Sequence, residues 1–229
     1  MLGTGEDLRW LGADVIRRVN LWEEVLPLKE WAEKFCDRIR SAPDEGDKPI
    51  LVGYSMGGRL ALHALLEDPN CWKAAVIISS HPGLSDDEER AKRLANDLRW
   101  SEAARELPWS EFLNRWNAQP VFDGSDTVDR SDLVTHRESI AKAFDVWSLG
   151  RQEALGERIA EIGCPILWIT GEKDRKFSAL AEQLPLRHEL APRCGHRVLA
   201  DNPEWLEERI GRFVAVGSAS ALGPAGGDT

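Results

Sequence analysis

The stretch PILVGYSMGGRLALHAL, Pro49 to Leu65, constrains this chain more than any other. An apolar run of strand length passes through Gly53-Tyr54-Ser55-Met56-Gly57 directly into a run of helix formers. A strand that turns so sharply into a helix brings two backbones close together. Glycines at the turn permit that approach, and the apex residue is held in a strained conformation. Here the apex is Ser55. Its hydroxyl is lifted above the end of a strand, beside a helix N-terminus that favours developing negative charge. The Met56 N–H is placed to donate to an oxyanion. The reading is a nucleophile elbow, and the flanks carry it, because the pentapeptide alone also arises by chance.

An elbow needs a parallel sheet behind it. AAVIISS (Ala74 to Ser80) and CPILWIT (Cys164 to Thr170) are continuous apolar runs, RHEL (Arg187 to Leu190) is a short fourth strand, and DVIRRVN (Asp14 to Asn20) is a weaker strand because of its two arginines. LPLKEWAEKFCDRIR has apolar residues at helical spacing, and PEWLEERIGRFVAV forms the last helix. Buried strands separated by helices predict an α/β fold, a parallel sheet covered on both faces. From Leu84 to about Arg158 the pattern changes to charge, tryptophan and helix formers with no strand, which predicts a helical lid insertion. The expected organisation is therefore a core in two parts, 1–83 and 159–217, a lid at 84–158, and a flexible tail at 218–229.

Composition narrows the partners. The net charge of −10 argues against non-specific nucleic-acid binding. No apolar run approaches the roughly 20 residues that span a bilayer, and no signal-peptide core is present. Four irregularly spaced cysteines show no metal-ligand pattern and predict unpaired thiols in a cytoplasmic protein without a metal or other cofactor. Ten tryptophans stand against one tyrosine, for packing or for an aromatic wall around a pocket.

A serine is a poor nucleophile or base without a partner. In a fold with this elbow the acid and then the histidine follow in the chain. Asp174, in ITGEKDRKF, follows the third strand, and His196, in PRCGHRVLADNP, precedes the last helix. Both positions are loops at the carboxyl ends of strands, where sites in such sheets gather. His63 falls mid-helix, His136 in the insertion and His188 in a strand, whereas His81 follows the second strand and can line a pocket.

These residues resemble the α/β-hydrolases and, more narrowly, the 2-succinyl-6-hydroxy-2,4-cyclohexadiene-1-carboxylate synthase family of menaquinone biosynthesis. The resemblance rests on GYSMGGR, HPGL, RWNAQPVF, LVTHR, GEKDRKF and PRCGHRVLADNP, spread from Gly53 to Pro203. It implies an elimination of pyruvate in which Ser55, activated by His196 and oriented through Asp174, takes a ring proton. It implies a polycarboxylate substrate held by Arg59, Arg93 and Arg137, with Tyr54, His81 and Trp116 lining the pocket. Asn117 departs from the family, where a tyrosine is expected.

The resemblance further implies that LGTGEDLRWL is the tail of a motif beginning His-Gly-Phe, that the first strands of the fold are missing, and that the second oxyanion donor falls on the Met1 nitrogen. A misassigned start, a natural truncation, and a sheet completed by another chain each account for this. The alternatives to a lyase are a serine carboxylesterase or thioesterase on the same fold and a truncated, inactive interaction protein. The expected state is a monomer or weak homo-oligomer.

Overall fold

The computed structural model describes residues 17–42 and 48–219. Among the described residues, four parallel strands form one sheet in chain order: β1 (Ile50–Tyr54), β2 (Ala74–Ile78), β3 (Ile166–Gly171) and β4 (Arg187–Ala191). In the register, Tyr54 lies opposite Ile78, Ile78 opposite Ile169, and Gly171 opposite Ala191. The carboxyl ends of all four strands therefore open on one edge of the sheet, and the loops that follow them carry Ser55, His81, Asp174 and His196.

The period-two alternation of a strand sends neighbouring residues to opposite faces. In β2, Ala75 and Ile77 join a core with the helices α1 (Leu28–Arg40) and α2 (Met56–Glu67). Ala74, Val76 and Ile78 join a second core with α8 (Val198–Asp201) and α9 (Pro203–Ala219). Both faces are covered, as the continuous apolar strands predict. α1 buries Leu28, Trp31, Ala32, Phe35 and Cys36 along one stripe.

Residues 84–158 contain helices, 3-10 turns and no strand. The long helix α3 (Asp87–Glu106) begins at Asp86, whose carboxylate accepts from the Glu89 amide at 2.8 Å, and its first turn is acidic, complementing the dipole. Then come α4 (Trp109–Asn117), α5 (Arg137–Val146) and α6 (Gly156–Ile159). α7 (Arg175–Ala181) follows β3. Trp100, Phe112, Trp116 and Phe144 pack ring on ring between α3, α4 and α5.

Several expectations are corrected. Arg17–Asn20 is not a strand: both arginines are exposed, only Val19 packs against the core, and the Asn20 side chain accepts from the Trp22 amide in a tight turn. Asp14–Ile16 lie outside the described residues. So do Met1 and the segment on which the question of missing strands turns. The second strand stops at Ile78 because Ser79 takes φ 45°, and the third starts at Ile166 rather than Cys164. Helix α9 runs to Ala219, two residues into the expected tail. The four cysteines are unpaired.

Candidate active site

The elbow has the geometry its sequence demands. Ser55 sits at φ 50°, ψ −112°, a left-handed conformation that is costly for a residue with a Cβ. Three hydrogen bonds hold it there. Its N–H donates to the Ile78 carbonyl at 2.8 Å, while its carbonyl accepts from Ser80 Oγ at 3.0 Å and from the Arg59 amide at 3.2 Å. A Cβ on Gly53 would lie 2.7 Å from the Gly57 carbonyl, and one on Gly58 would lie 2.7 Å from Ser80 Cβ. These two glycines let strand, helix and neighbouring loop approach. The Met56 amide occupies the first turn of α2, where an N–H has no intrahelical acceptor.

Three side chains from three loops form a line. Ser55 Oγ lies 3.1 Å from His196 Nε2, and His196 Nδ1 lies 2.7 Å from Asp174 Oδ2. His196 and Asp174 are buried, and Ser55 is partly exposed. Burial lowers the imidazole pKa, against the upward pull of its bond to Asp174. The Asp174 loop is seated by the Lys173 amide on the Cys194 carbonyl at 2.8 Å. A Cβ on Gly171 would lie 2.0 Å from the Gly195 carbonyl, so the acid loop and the histidine loop meet only because a glycine is there.

Rings surround the imidazole: Phe177 at 4.5 Å, Tyr54 at 5.7 Å and Phe122 at 5.9 Å between centroids. Trp116 stands behind Phe122 at 5.7 Å. His81 packs edge-on to Phe177, its Nδ1 accepts from the Gly83 amide at 3.0 Å, and burial, then Lys176, pushes its pKa down to about 3. It is neutral near pH 7.

Two of the three expected arginines come together. Arg59 is buried on α2 and donates to the Trp147 carbonyl. Burial, then the nearby Arg93 charge, pushes its pKa down to about 9, opposed by Asp97. Arg93 Nε lies 2.9 Å from both carboxylate oxygens of Asp97, which also accepts from Ser148 Oγ at 2.8 Å. Asp97 thus pairs with Arg93, and its charge also offsets that of Arg59 nearby. Arg137 is elsewhere, at the α3–α4 junction. Its Nη2 donates to the Leu107 carbonyl at 2.8 Å, its guanidinium covers the Trp109 ring at 5.6 Å, and its buried Nε has no acceptor among the described residues.

Sequence reasoning missed Asp97 and the packing of Phe122 and Phe177 against the imidazole. Asp97 was legible, since it stands four residues after Arg93 on one helix face. Phe122 and Phe177 end the motifs RWNAQPVF and GEKDRKF, but nothing local in the sequence places them against the imidazole. Burial raises the Cys36 and Cys194 thiols to about 12 and about 11, so both stay protonated near pH 7. Among the described residues no group of three His, Cys, Asp or Glu side chains could hold a metal, and no helix is long and apolar enough to cross a membrane.

The pattern of the alpha/beta hydrolase family matches residues 5–209. The 2-succinyl-6-hydroxy-2,4-cyclohexadiene-1-carboxylate synthase of Pectobacterium atrosepticum is 33% identical over 171 residues, 72% of this chain and 68% of that protein. The enzyme of the same name from Serratia proteamaculans is 32% identical over 170 residues, 72% of this chain and 67% of its own. Among solved structures, MenH from S. aureus superposes with a TM-score of 0.75 at 22% identity, over 86% of this chain and 78% of that one. A thermophilic esterase from Thermogutta terrifontis superposes with a TM-score of 0.60 at 17% identity, over 85% of this chain and 74% of that one.

Proposed function

The chain belongs to the alpha/beta hydrolase family and, within it, to the 2-succinyl-6-hydroxy-2,4-cyclohexadiene-1-carboxylate synthases, and from that premise we propose that it eliminates pyruvate from 2-succinyl-5-enolpyruvyl-6-hydroxy-3-cyclohexene-1-carboxylate. The observation that carries the reading is the Ser55–His196–Asp174 line beside two arginines, Arg59 and Arg93, on the neighbouring helices.

The neutral imidazole carries its proton on Nδ1, donated to Asp174, and Nε2 accepts from the Ser55 hydroxyl. As Ser55 takes a ring proton, its own proton passes to His196, and the Asp174 carboxylate steadies the imidazolium. The ring C–H bond breaks, a ring double bond forms, and the bond from the ring to the enolpyruvyl oxygen breaks. The enolpyruvate that leaves takes up a proton and becomes pyruvate. The Met56 amide faces the negative charge that develops on the way. A lowered imidazole pKa suits the role, because the base must be neutral near pH 7.

Arg59, Arg93 and Arg137 hold the substrate carboxylates in this reading, with Tyr54, His81 and Trp116 on the walls. Arg137, at the α3–α4 junction, enters this set from the family resemblance, and its buried Nε has no acceptor among the described residues. The second oxyanion donor expected at Met1 stays part of the proposal. The reading takes a small polycarboxylate as partner, needs no cofactor, and is that of a cytoplasmic enzyme, a monomer or weak homo-oligomer.

The test is a coupled pyruvate assay on the natural substrate. Ser55→Ala removes the proton acceptor and lowers kcat by about 10³-fold or more. Arg93→Ala and Arg137→Ala each raise KM by roughly 10- to 100-fold, the value of a charge-assisted hydrogen bond. Full turnover in both arginine variants would sink the carboxylate clamp. Turnover of p-nitrophenyl acetate without pyruvate release would instead make the protein an esterase.

A further inference from the structure

The residue after the site histidine, Arg197, is 8% exposed, and no carboxylate bonds its guanidinium among the described residues. Every partner is neutral and comes from the end of α4 or the segment after it. The Arg197 amide donates to Ser125 Oγ at 3.0 Å, Nη1 to the Asp126 carbonyl at 2.8 Å, and Nη2 to Asn117 Oδ1 at 2.5 Å. The guanidinium also covers the Phe122 ring at 4.0 Å. A desolvated cation with only neutral acceptors is costly to keep, and burial lowers its pKa accordingly.

Asp201 binds the same segment from the other side of His196. Its carboxylate accepts from Ser125 Oγ at 2.8 Å, the Asp126 amide at 3.0 Å and the Gly195 amide at 2.8 Å. The residues on both sides of His196 are therefore tied to one hydroxyl, Ser125 Oγ, or to the carboxylate that binds it. Gly195 permits this, since a Cβ there would lie 2.4 Å from Ser125 Oγ. Phe122, pinned beneath Arg197, is one of the rings against the imidazole.

We propose that Arg197 and Asp201 form a latch that fastens the Asn117–Asp126 segment to the histidine loop, and that Arg197 is thereby a positioning residue for His196. The proposal rests on the reading of His196 as the base that serves Ser55. Arg197 meets the task through its planar fork, which reaches two acceptors while its face stacks on a ring, a combination that lysine lacks. Asn117, where the family resemblance leads one to expect tyrosine, is the acceptor at the far end of the fork.

The experiment uses the full chain with Arg197→Met, Arg197→Lys and Asn117→Ala. Hydrogen exchange is followed without substrate, and kcat and KM are measured by pyruvate release. In Arg197→Met, exchange accelerates together in 117–126 and 193–201 while α2 and α9 keep their protection. Its kcat falls by about 10- to 100-fold, the scale of a displaced catalytic group, with KM within about threefold. Arg197→Lys behaves like the methionine variant, and Asn117→Ala shifts both readouts the same way by less. Should Arg197→Met fail to fold, Asn117→Ala decides alone, since it removes a half-exposed side chain at a helix end.

Native exchange in 117–126, a change confined to KM, or full recovery by lysine would each overturn the latch. If the unaltered protein releases no pyruvate, the lyase reading fails, and the exchange measurement still decides whether the latch exists.

Discussion

Acid should destabilise this protein between pH 7.5 and pH 5.0, and the cause is a set of buried histidines. Burial lowers the pKa of His63 from 6.5 to about 4 and that of His81 from 6.5 to about 3. His188 and His196 shift in the same direction, also chiefly through burial. A histidine with a lowered folded pKa binds its proton first in the unfolded chain. Stability is therefore fully present above about pH 6.5 and is lost as pH falls toward the folded values. Between pH 7.5 and pH 5.0, His63 and His81 each remove about 2 kcal/mol. Together they remove about 4 kcal/mol, a large share of the 5–15 kcal/mol of a typical domain. The carboxylates that shift, Glu24, Asp68, Asp129 and Glu189, all shift downward and titrate below this window. The assay is urea unfolding at the two pH values. His63→Gln and His81→Asn, whose Oδ1 replaces Nδ1 as acceptor for the Gly83 amide, should each reduce the pH-dependent loss by about 2 kcal/mol. A loss below about 1 kcal/mol in the unaltered protein, or variants that leave it unchanged, would refute the reasoning.

Three further outcomes follow from named contacts. Gly171→Ala forces a Cβ against the Gly195 carbonyl, separates the acid and histidine loops, and costs about 3 kcal/mol in denaturant unfolding together with most of the pyruvate release. Asp97→Asn keeps the shape but removes the buried carboxylate that pairs with Arg93; because the Arg93 side chain is 37% exposed, the expected loss in the same unfolding assay is about 2 kcal/mol, with a higher KM for the polycarboxylate. Ser80→Ala removes the hydroxyl that bonds the carbonyl of the strained Ser55, and thermal unfolding should show a loss of about 1 kcal/mol.

The core of the fold was legible because its signals are local. β1, the elbow and α2 lie within 18 residues, Ile50 to Glu67, so strand, turn and helix are read from consecutive side chains. The continuous apolar run of β2 announces burial on both faces, and α8 with α9 supplies the second face. The exposed arginines of Arg17–Asn20 were a visible warning against a strand there. Asp174 and His196 were found through their positions after strands, not through anything in their own neighbours.

The amino-acid sequence by itself determined the parallel sheet, the elbow and the family, and it named Ser55, Asp174 and His196 as candidates, because each is written in short-range patterns or in a motif of known order. Only the tertiary structure decided how they act together. It seats Arg59 on the Trp147 carbonyl and Arg93 on Asp97, holds Arg137 at a helix junction, and ties the histidine loop to the Asn117–Asp126 segment. Those contacts join residues between 4 and 88 positions apart, and most depend on where whole helices pack. Distance along the chain carries no record of such packing. It is set by which apolar faces are buried and which polar groups then have no partner except one another.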